Sequence, residues 1–178
     1  MEFFDTVKSR TSVSKYKNTK VEKEKLQNII DAAMRSPSWK NRTSYRIIVV
    51  DDKSVKDDLA NAIVNKDDKA ANAVREADLS IVIISKPEES GEVEGKDFYL
   101  VDAAIAMEHI ILAATAEGYG TLWIGALDED KVKGVLSIPE EYRVVGITPV
   151  GVSNEEEKHN EPKNRESFVF LNEYNKPL

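Results

Sequence analysis

The feature that most constrains this chain is a run of alanine and large aliphatic residues from Asp102 to Glu117. Wound as a helix, the run is apolar almost all round, so no stripe is left for water. Such a helix holds in a domain only when other elements pack on several of its sides. It predicts a central helix, and Gly118 directly after it is placed to end it in the left-handed conformation. The apolar part, Ala103 to Ala116, is interrupted by Glu108 and His109. It falls short of the roughly 20 residues that span a bilayer. A core helix is expected, with no membrane partner.

The elements that could surround it are legible from periodicity. Leu26, Ile29, Ile30, Ala33 and Met34 share one face of a helix over roughly Val21 to Arg35. Thr19 with Glu22 could form a capping box at its start, and Pro37 stops it. Tyr45 to Val50 reads as a strand, and Ser54 could cap a short helix carrying Val55, Leu59 and Ile63. Leu79 to Ile84 is apolar enough to be a strand buried on both faces. Gly120 to Ile124 and Arg143 to Val150 are further strands, with a short helix at Asp128 to Val135 between them. Alternation of this kind suggests a layered sheet with helices on both faces.

A length of 178 residues suits one domain with a sizeable core. The polar stretch Asn154 to Glu166 would separate a tail rather than a second domain. With no cysteine, a disulfide scaffold, a thiol nucleophile and a thiolate metal site are excluded. A net charge of −7 argues against nucleic-acid binding and against anionic lipid surfaces. The start, Met1-Glu2-Phe3-Phe4-Asp5, lacks the basic and apolar regions of a signal peptide, which suggests a cytoplasmic protein. The two histidines, His109 and His159, form no metal motif. No P-loop and no nucleophile elbow appears.

Four segments could carry chemistry. Ser9 to Tyr16 brings Arg10 and Lys15 together with several hydroxyls, the usual side-chain partners of phosphate. Ser36-Pro37-Ser38-Trp39-Lys40-Asn41 is a polar turn after the long helix. Gly118 to Ala126 contains glycines that admit close backbone approach, and Gly125 is the one that a helix stop does not explain. Lys163-Asn164-Arg165 would put two cations on one side of an extended chain. Taken alone, the basic corner, the polar turn and the late cations each read more readily as a solvated or structural stretch.

Their order is more telling. Arg-x-Ser after the first helix, Ser-Pro-Ser-x-x-Asn before the first strand, Gly-x-Gly-Thr-x-Trp-Ile-Gly after the alanine-rich helix, Ile138-Pro139-Glu140, Pro149-Val150-Gly151 and Lys-x-Arg follow one another. The series resembles the nitroreductase family of FMN-dependent oxidoreductases, from about Phe3 to Phe168. The resemblance implies an α+β fold with a central mixed sheet flanked by helices. It also implies a homodimer in which residues 154–178 extend onto the partner subunit, with Phe168, Val169 and Phe170 pairing with its sheet.

The resemblance implies the cofactor contacts too. Arg10 and Ser12 would hold the FMN phosphate and ribityl chain, and Lys163 and Arg165 would close on the same phosphate. Pro37, Ser38 and Asn41 would form the loop that the partner lays against the flavin. Ile124 and Gly125 would face its central ring, where a backbone N–H can donate to the ring nitrogen that takes up hydride. Thr11 and Ser14 stand where the family often has further basic residues, and either Ser14 or Lys15 could reach the ring. Thr43 and Tyr45 stand where a glutamine and a tryptophan often follow the asparagine. The departures fall near the flavin's pyrimidine edge and leave the phosphate grip intact. The short polar segment Lys86 to Lys96 implies an open site.

The implied activity is hydride transfer from NADH or NADPH through FMN to a small electron-poor acceptor such as a nitroaromatic or quinone. The cycle would be ping-pong, with no catalytic side chain. Alternatives are a non-catalytic FMN store or sensor, and a flavoenzyme of the same fold with another substrate, through dehalogenation or small-molecule oxidation.

Overall fold

The computed structural model describes residues 1–156 and 161–178; His159 lies outside them. Six helices run α1 (Phe3–Ser9), α2 (Lys23–Met34), α3 (Lys53–Ala60), α4 (Lys69–Glu76), α5 (Phe98–Ala116) and α6 (Glu129–Leu136). The strands are β1 (Tyr45–Val50), β2 (Leu79–Ser85), β3 (Glu92–Val93), β4 (Lys96–Asp97), β5 (Gly120–Thr121) and β6 (Arg143–Gly151). The main sheet has the order β1-β2-β6-β5, every strand pair antiparallel. A parallel bridge from Ser12 to Thr121 continues it past β5 and makes it mixed. The architecture is α+β, as expected.

Strand β2 is buried along its whole length. Leu79, Ile81 and Ile83 face one core, shared with α2 and α5. Val82 and Ile84 face a second core, with residues of α3, α4 and α6. Side chains alternate across a strand, so a continuous apolar run serves two layers at once.

Helix α5 is the centre of the first core. It begins at Phe98, one turn before the sequence expectation, because the short β3–β4 hairpin delivers the chain directly into it. At 19 residues it is long and apolar enough to cross a bilayer. Here it packs against α2, α1 and the sheet instead, burying Ala103, Ala106, Met107, Ile110 and Ala114. It closes as expected: Gly118 has φ +87, the Tyr119 N–H donates to the Ala114 carbonyl at 2.8 Å, and the Gly118 N–H donates to the Thr115 carbonyl at 3.0 Å.

Several boundaries differ from expectation. Glu22, not Thr19, precedes α2, and no capping box forms. The entry is held by distant groups: the Val21 N–H donates to Asp78 and the Glu22 N–H to the Tyr119 hydroxyl. Asp52, not Ser54, caps α3, accepting from the Val55 N–H at 3.0 Å. Helix α4 has no counterpart in the sequence patterns. Strand β5 covers two residues rather than five, and Ile124 makes only an isolated bridge to Ile147.

Glu129 ties α6 to β6. Its carboxylate takes the Arg143 guanidinium at 2.9 and 3.0 Å and the Val144 N–H at 2.9 Å. Burial acts to raise its pKa, and Arg143 with the Val144 N–H overcomes this, so the carboxyl ionises below its ordinary value. A depressed folded pKa gives stability that is present above the unfolded value, about 4.3, and lost as pH falls through the folded one. We expect Glu129→Gln to lower stability at neutral pH by about 1 kcal/mol. Urea midpoints should show that deficit shrinking on acidification below about pH 4.

Candidate functional site

The basic corner is built where α1 ends. The Arg10 N–H donates to the Thr6 carbonyl at 3.0 Å, and the chain then leaves the helix in an extended conformation. Ser12 pairs with Thr121, and the Val13 N–H donates to the Thr121 carbonyl at 2.8 Å. Val13 is buried against Gly120, where an added Cβ would sit 2.7 Å from a Val13 methyl. The absence of a side chain at Gly120 therefore lets the corner seat on β5. On the far side, the buried Tyr16 hydroxyl donates to the Val13 carbonyl at 2.8 Å. Burial, then the negative charge of Glu155, pushes the Tyr16 phenol far up, so it stays a neutral donor.

The corner is thus fixed at both ends while its functional groups stay available. Arg10 is half-buried and Ser12 exposed. Among the described residues, neither the Arg10 guanidinium nor the Ser12 hydroxyl has a partner. Ser14 is different. Its N–H and hydroxyl both donate to one carboxylate oxygen of Glu155, at 2.7 and 2.8 Å, and the Lys15 N–H joins them at 3.0 Å. Thr11 lines a cavity of about 330 Å³ with Ser9, Val13, Gly120 and Glu155; Arg10, Ser12 and Gly125 do not line it.

From Thr121 the chain runs through Leu122 and Trp123 to Ile124 and Gly125. The Ile124 N–H and carbonyl are both spent on Ile147, each at 2.9 Å. A backbone donor here is consequently Gly125 rather than Ile124. Gly125 is exposed, its N–H has no partner among the described residues, and a Cβ there would meet nothing within 4 Å. An open ledge with a bare N–H lies along the same sheet edge as the basic corner.

The Pro37–Asn41 loop is a short 3-10 turn, Trp39–Asn41, preceded by Ser38. Pro37 and Asn41 are exposed. The Ser38 hydroxyl accepts from the Thr43 N–H at 2.9 Å, which closes the loop on itself. Lys40, Asn41 and Thr43 have φ of 50, 58 and 51, a left-handed conformation that costs a non-glycine residue roughly 1–2 kcal/mol. Such strain persists only where surrounding contacts over-determine it. The Trp39 N–H donates to the buried Asp102 carboxylate at 2.6 Å. Lys40 and Arg42 place their cations over the Trp39 ring.

The late cations, Lys163 and Arg165, sit in the segment after residue 160. Both are exposed, and Lys163 lies over the Phe168 ring at 4.9 Å. Arg165 opens a 3-10 turn, Arg165–Ser167, so the two cations do not share an extended stretch. Phe168 to Phe170 is not a strand either. Phe170 bridges Pro177 of its own chain, and the Leu171 N–H donates to the Lys176 carbonyl.

Three features escaped the sequence reading: the Val13–Gly120 fit, the Glu155 hold on Ser14, and Asp102. Only Asp102 carried a signal, as a carboxylate at the edge of an otherwise apolar run.

Fold and site together define an α+β domain with a fixed corner, whose guanidinium and hydroxyl have no partner among the described residues, and a bare backbone donor on one sheet edge. The chain belongs to the nitroreductase family, whose model matches residues 7–66 and 64–152. A nitroreductase family protein of Clostridium novyi NT is 47% identical, with a TM-score of 0.86 over 99% of this chain and 97% of that one. An FMN-dependent nitroreductase of Clostridium difficile R20291 is 31% identical, with a TM-score of 0.85 over 96% and 99%. A protein of Methanothermobacter thermautotrophicus, provisionally named NADH dehydrogenase/NAD(P)H nitroreductase, is 28% identical over 155 residues, covering 85% of this chain and 77% of its own.

Gly120→Ala should force Val13 off β5 and lower stability by about 1–3 kcal/mol through overpacking. Amide exchange at Val13 should accelerate more than at Ile147. Equal acceleration at both would mean that the corner is not separately held.

Proposed function

We propose that this chain binds FMN and transfers hydride from NADH or NADPH to a small electron-poor acceptor, in a ping-pong cycle. The observation that carries this reading is the partnerless Arg10–Ser12 corner aligned along one sheet edge with the bare Gly125 N–H. These groups fit the two ends of a flavin nucleotide. An FMN phosphate bears roughly two negative charges at neutral pH, by analogy with other phosphomonoesters. Arg10 offsets part of that charge, and the Ser12 hydroxyl adds a neutral donor. Gly125 has room for a flat ring against its backbone and directs its N–H to the ring position where negative charge gathers on reduction. When bound, the flavin supplies the hydride-accepting and hydride-donating chemistry, so no side chain need act as acid or base.

The reading includes a homodimer. Strand β1 is a sheet edge, beside an apolar groove lined by Ile30, Met34, Tyr45, Ile47 and Val49. Phe3, Phe4, Leu100, Val101, Trp123 and Phe168 are exposed. A sheet edge and apolar surface of this kind favour association. In such a dimer the partner's Pro37–Asn41 loop covers the flavin, and residues 161–178 pack across the interface, with Lys163 and Arg165 reaching the phosphate. The family resemblance, rather than a contact within one chain, supports that last placement.

Titration of the flavin-free protein with FMN should give saturable binding, and NADH or NADPH should bleach the bound flavin under anaerobic conditions. No uptake of FMN would sink the proposal. Uptake without bleaching would favour a storage or sensing role. Gly125→Val should leave the melting temperature unchanged and weaken FMN binding about tenfold, since the new side chain meets only open space in the chain and fills the ledge. Arg10→Ala should weaken FMN, with a smaller loss for riboflavin, which lacks the phosphate.

A further inference from the structure

Helix α5 carries one group that its packing does not ask for. Asp102 is fully buried in the first core, and no lysine or arginine pairs with it among the described residues. Its charge is met by neutral donors. One oxygen takes the Trp39 N–H at 2.6 Å, and the other takes the Ser44 and Ser90 hydroxyls, each at 2.8 Å. Ser85 donates to Ser44 behind them at 2.9 Å. Burying a carboxylate is costly, and an apolar residue of similar volume often serves a core equally well or better. What the carboxylate adds is specificity for one arrangement of the groups it binds.

Those groups converge on the loop at residues 37–43. Phe98, one turn before Asp102 on the same helix face, stacks on the Trp39 ring at 5.2 Å with the planes 23° apart. A Cβ at position 91 would run into the same ring. Arg42 donates to the Ser90 carbonyl. Helix α5 and the short segment before it therefore grip Trp39 by its backbone, its ring face and its ring edge. The residues that follow are the left-handed Lys40, Asn41 and Thr43, which need such a hold.

We propose that Asp102 is a positioning residue for the flavin site: its carboxylate clamps the Trp39 N–H and so holds the Pro37–Thr43 loop in the shape that meets the flavin. This rests on the FMN reading above. Asp102 touches neither flavin nor substrate and acts through Trp39. The bond needs an acceptor, not a charge. In Asp102→Asn the amide oxygen can take the Trp39 N–H while its NH2 faces the Ser44 and Ser90 hydroxyls, which can turn to accept. Asp102→Leu keeps the volume and removes the acceptor.

The test uses two readouts on Asp102→Leu and Asp102→Asn. The first is the rate of tryptic cleavage after Lys40 and Arg42 in the flavin-free protein, with the peptides identified by mass. The second is the Kd for FMN. Asp102→Leu should raise both by about tenfold or more, the loss expected when a buried N–H is left without its acceptor, while Asp102→Asn stays within about threefold of the parent. If Asp102→Leu loses its native circular dichroism, Asp102→Ser replaces it, being polar but too short to reach Trp39. Unchanged cleavage in the folded acceptor-free variant overturns the clamp. Raised cleavage with unchanged FMN affinity overturns its link to the flavin. An Asp102→Asn protein as impaired as Asp102→Leu also overturns the proposal, since the charge rather than the Trp39 bond would then matter. Failure of the parent protein to bind FMN sinks the underlying reading, and the cleavage arm still reports on the clamp by itself.

Discussion

Burial of α5 between α2 and the sheet is the constraint on which the rest depends. A helix with no polar face needs cover on several sides, and this one recruits α1, α2 and four strands, leaving residues near its start, such as Leu100 and Val101, open. Covering it sets the position of β2, whose other face then nucleates the second core with α3, α4 and α6. The C-terminal stop of α5 at Gly118 aims the chain into β5. The start of α5 at Phe98 places Asp102 beneath the Trp39 loop. Both flanks of the candidate site are in this sense ends of one helix.

The proposed anion site at the corner is compatible with an acidic chain. Net charge describes the far field, whereas a bound phosphate feels the nearest groups. Backbone bonds and the Val13–Gly120 fit hold the corner without using Arg10 or Ser12. Glu155 takes Ser14 and Lys15 backbone donors that would otherwise also attract an anion. The corner is left with one guanidinium and a hydroxyl, a modest grip for a dianion. The proposed contribution of Lys163 and Arg165 therefore matters more here than it would in a chain with a second cation at position 11 or 14.

Much of the architecture was legible from periodicity because the long apolar elements α5, β1, β2 and β6 declare themselves in local pattern. Helix α4 did not. Lys69–Glu76 is short, and Asp68 before it makes no side-chain cap. The start of α2 was misread for a related reason: Asp78 and the Tyr119 hydroxyl, both far away in sequence, satisfy groups that a capping box would have taken. The site divides along the same line. Arg10, Ser12 and Gly125 could be proposed because motif order survives in the chain. That Ile124 has spent its N–H on Ile147, or that Val13 needs a bare Gly120, is decided by tertiary pairing and leaves no local mark. The expected pairing of Phe168 to Phe170 is with a partner's sheet, so it is no property of one chain's local pattern.

The bond between Ser14 and Glu155 joins residues 141 positions apart. During synthesis the corner emerges first, and its last tether emerges near the end, on the order of 10 s later at ribosomal rates. For most of that interval Val13 has no β5 to rest on, and for all of it Ser14 has no Glu155 carboxylate. The order of birth along the chain is therefore nearly the reverse of the order in which the corner can become rigid. The proposed phosphate grip cannot become rigid until Glu155 has left the ribosome, which places ligand loading after the folding of this domain.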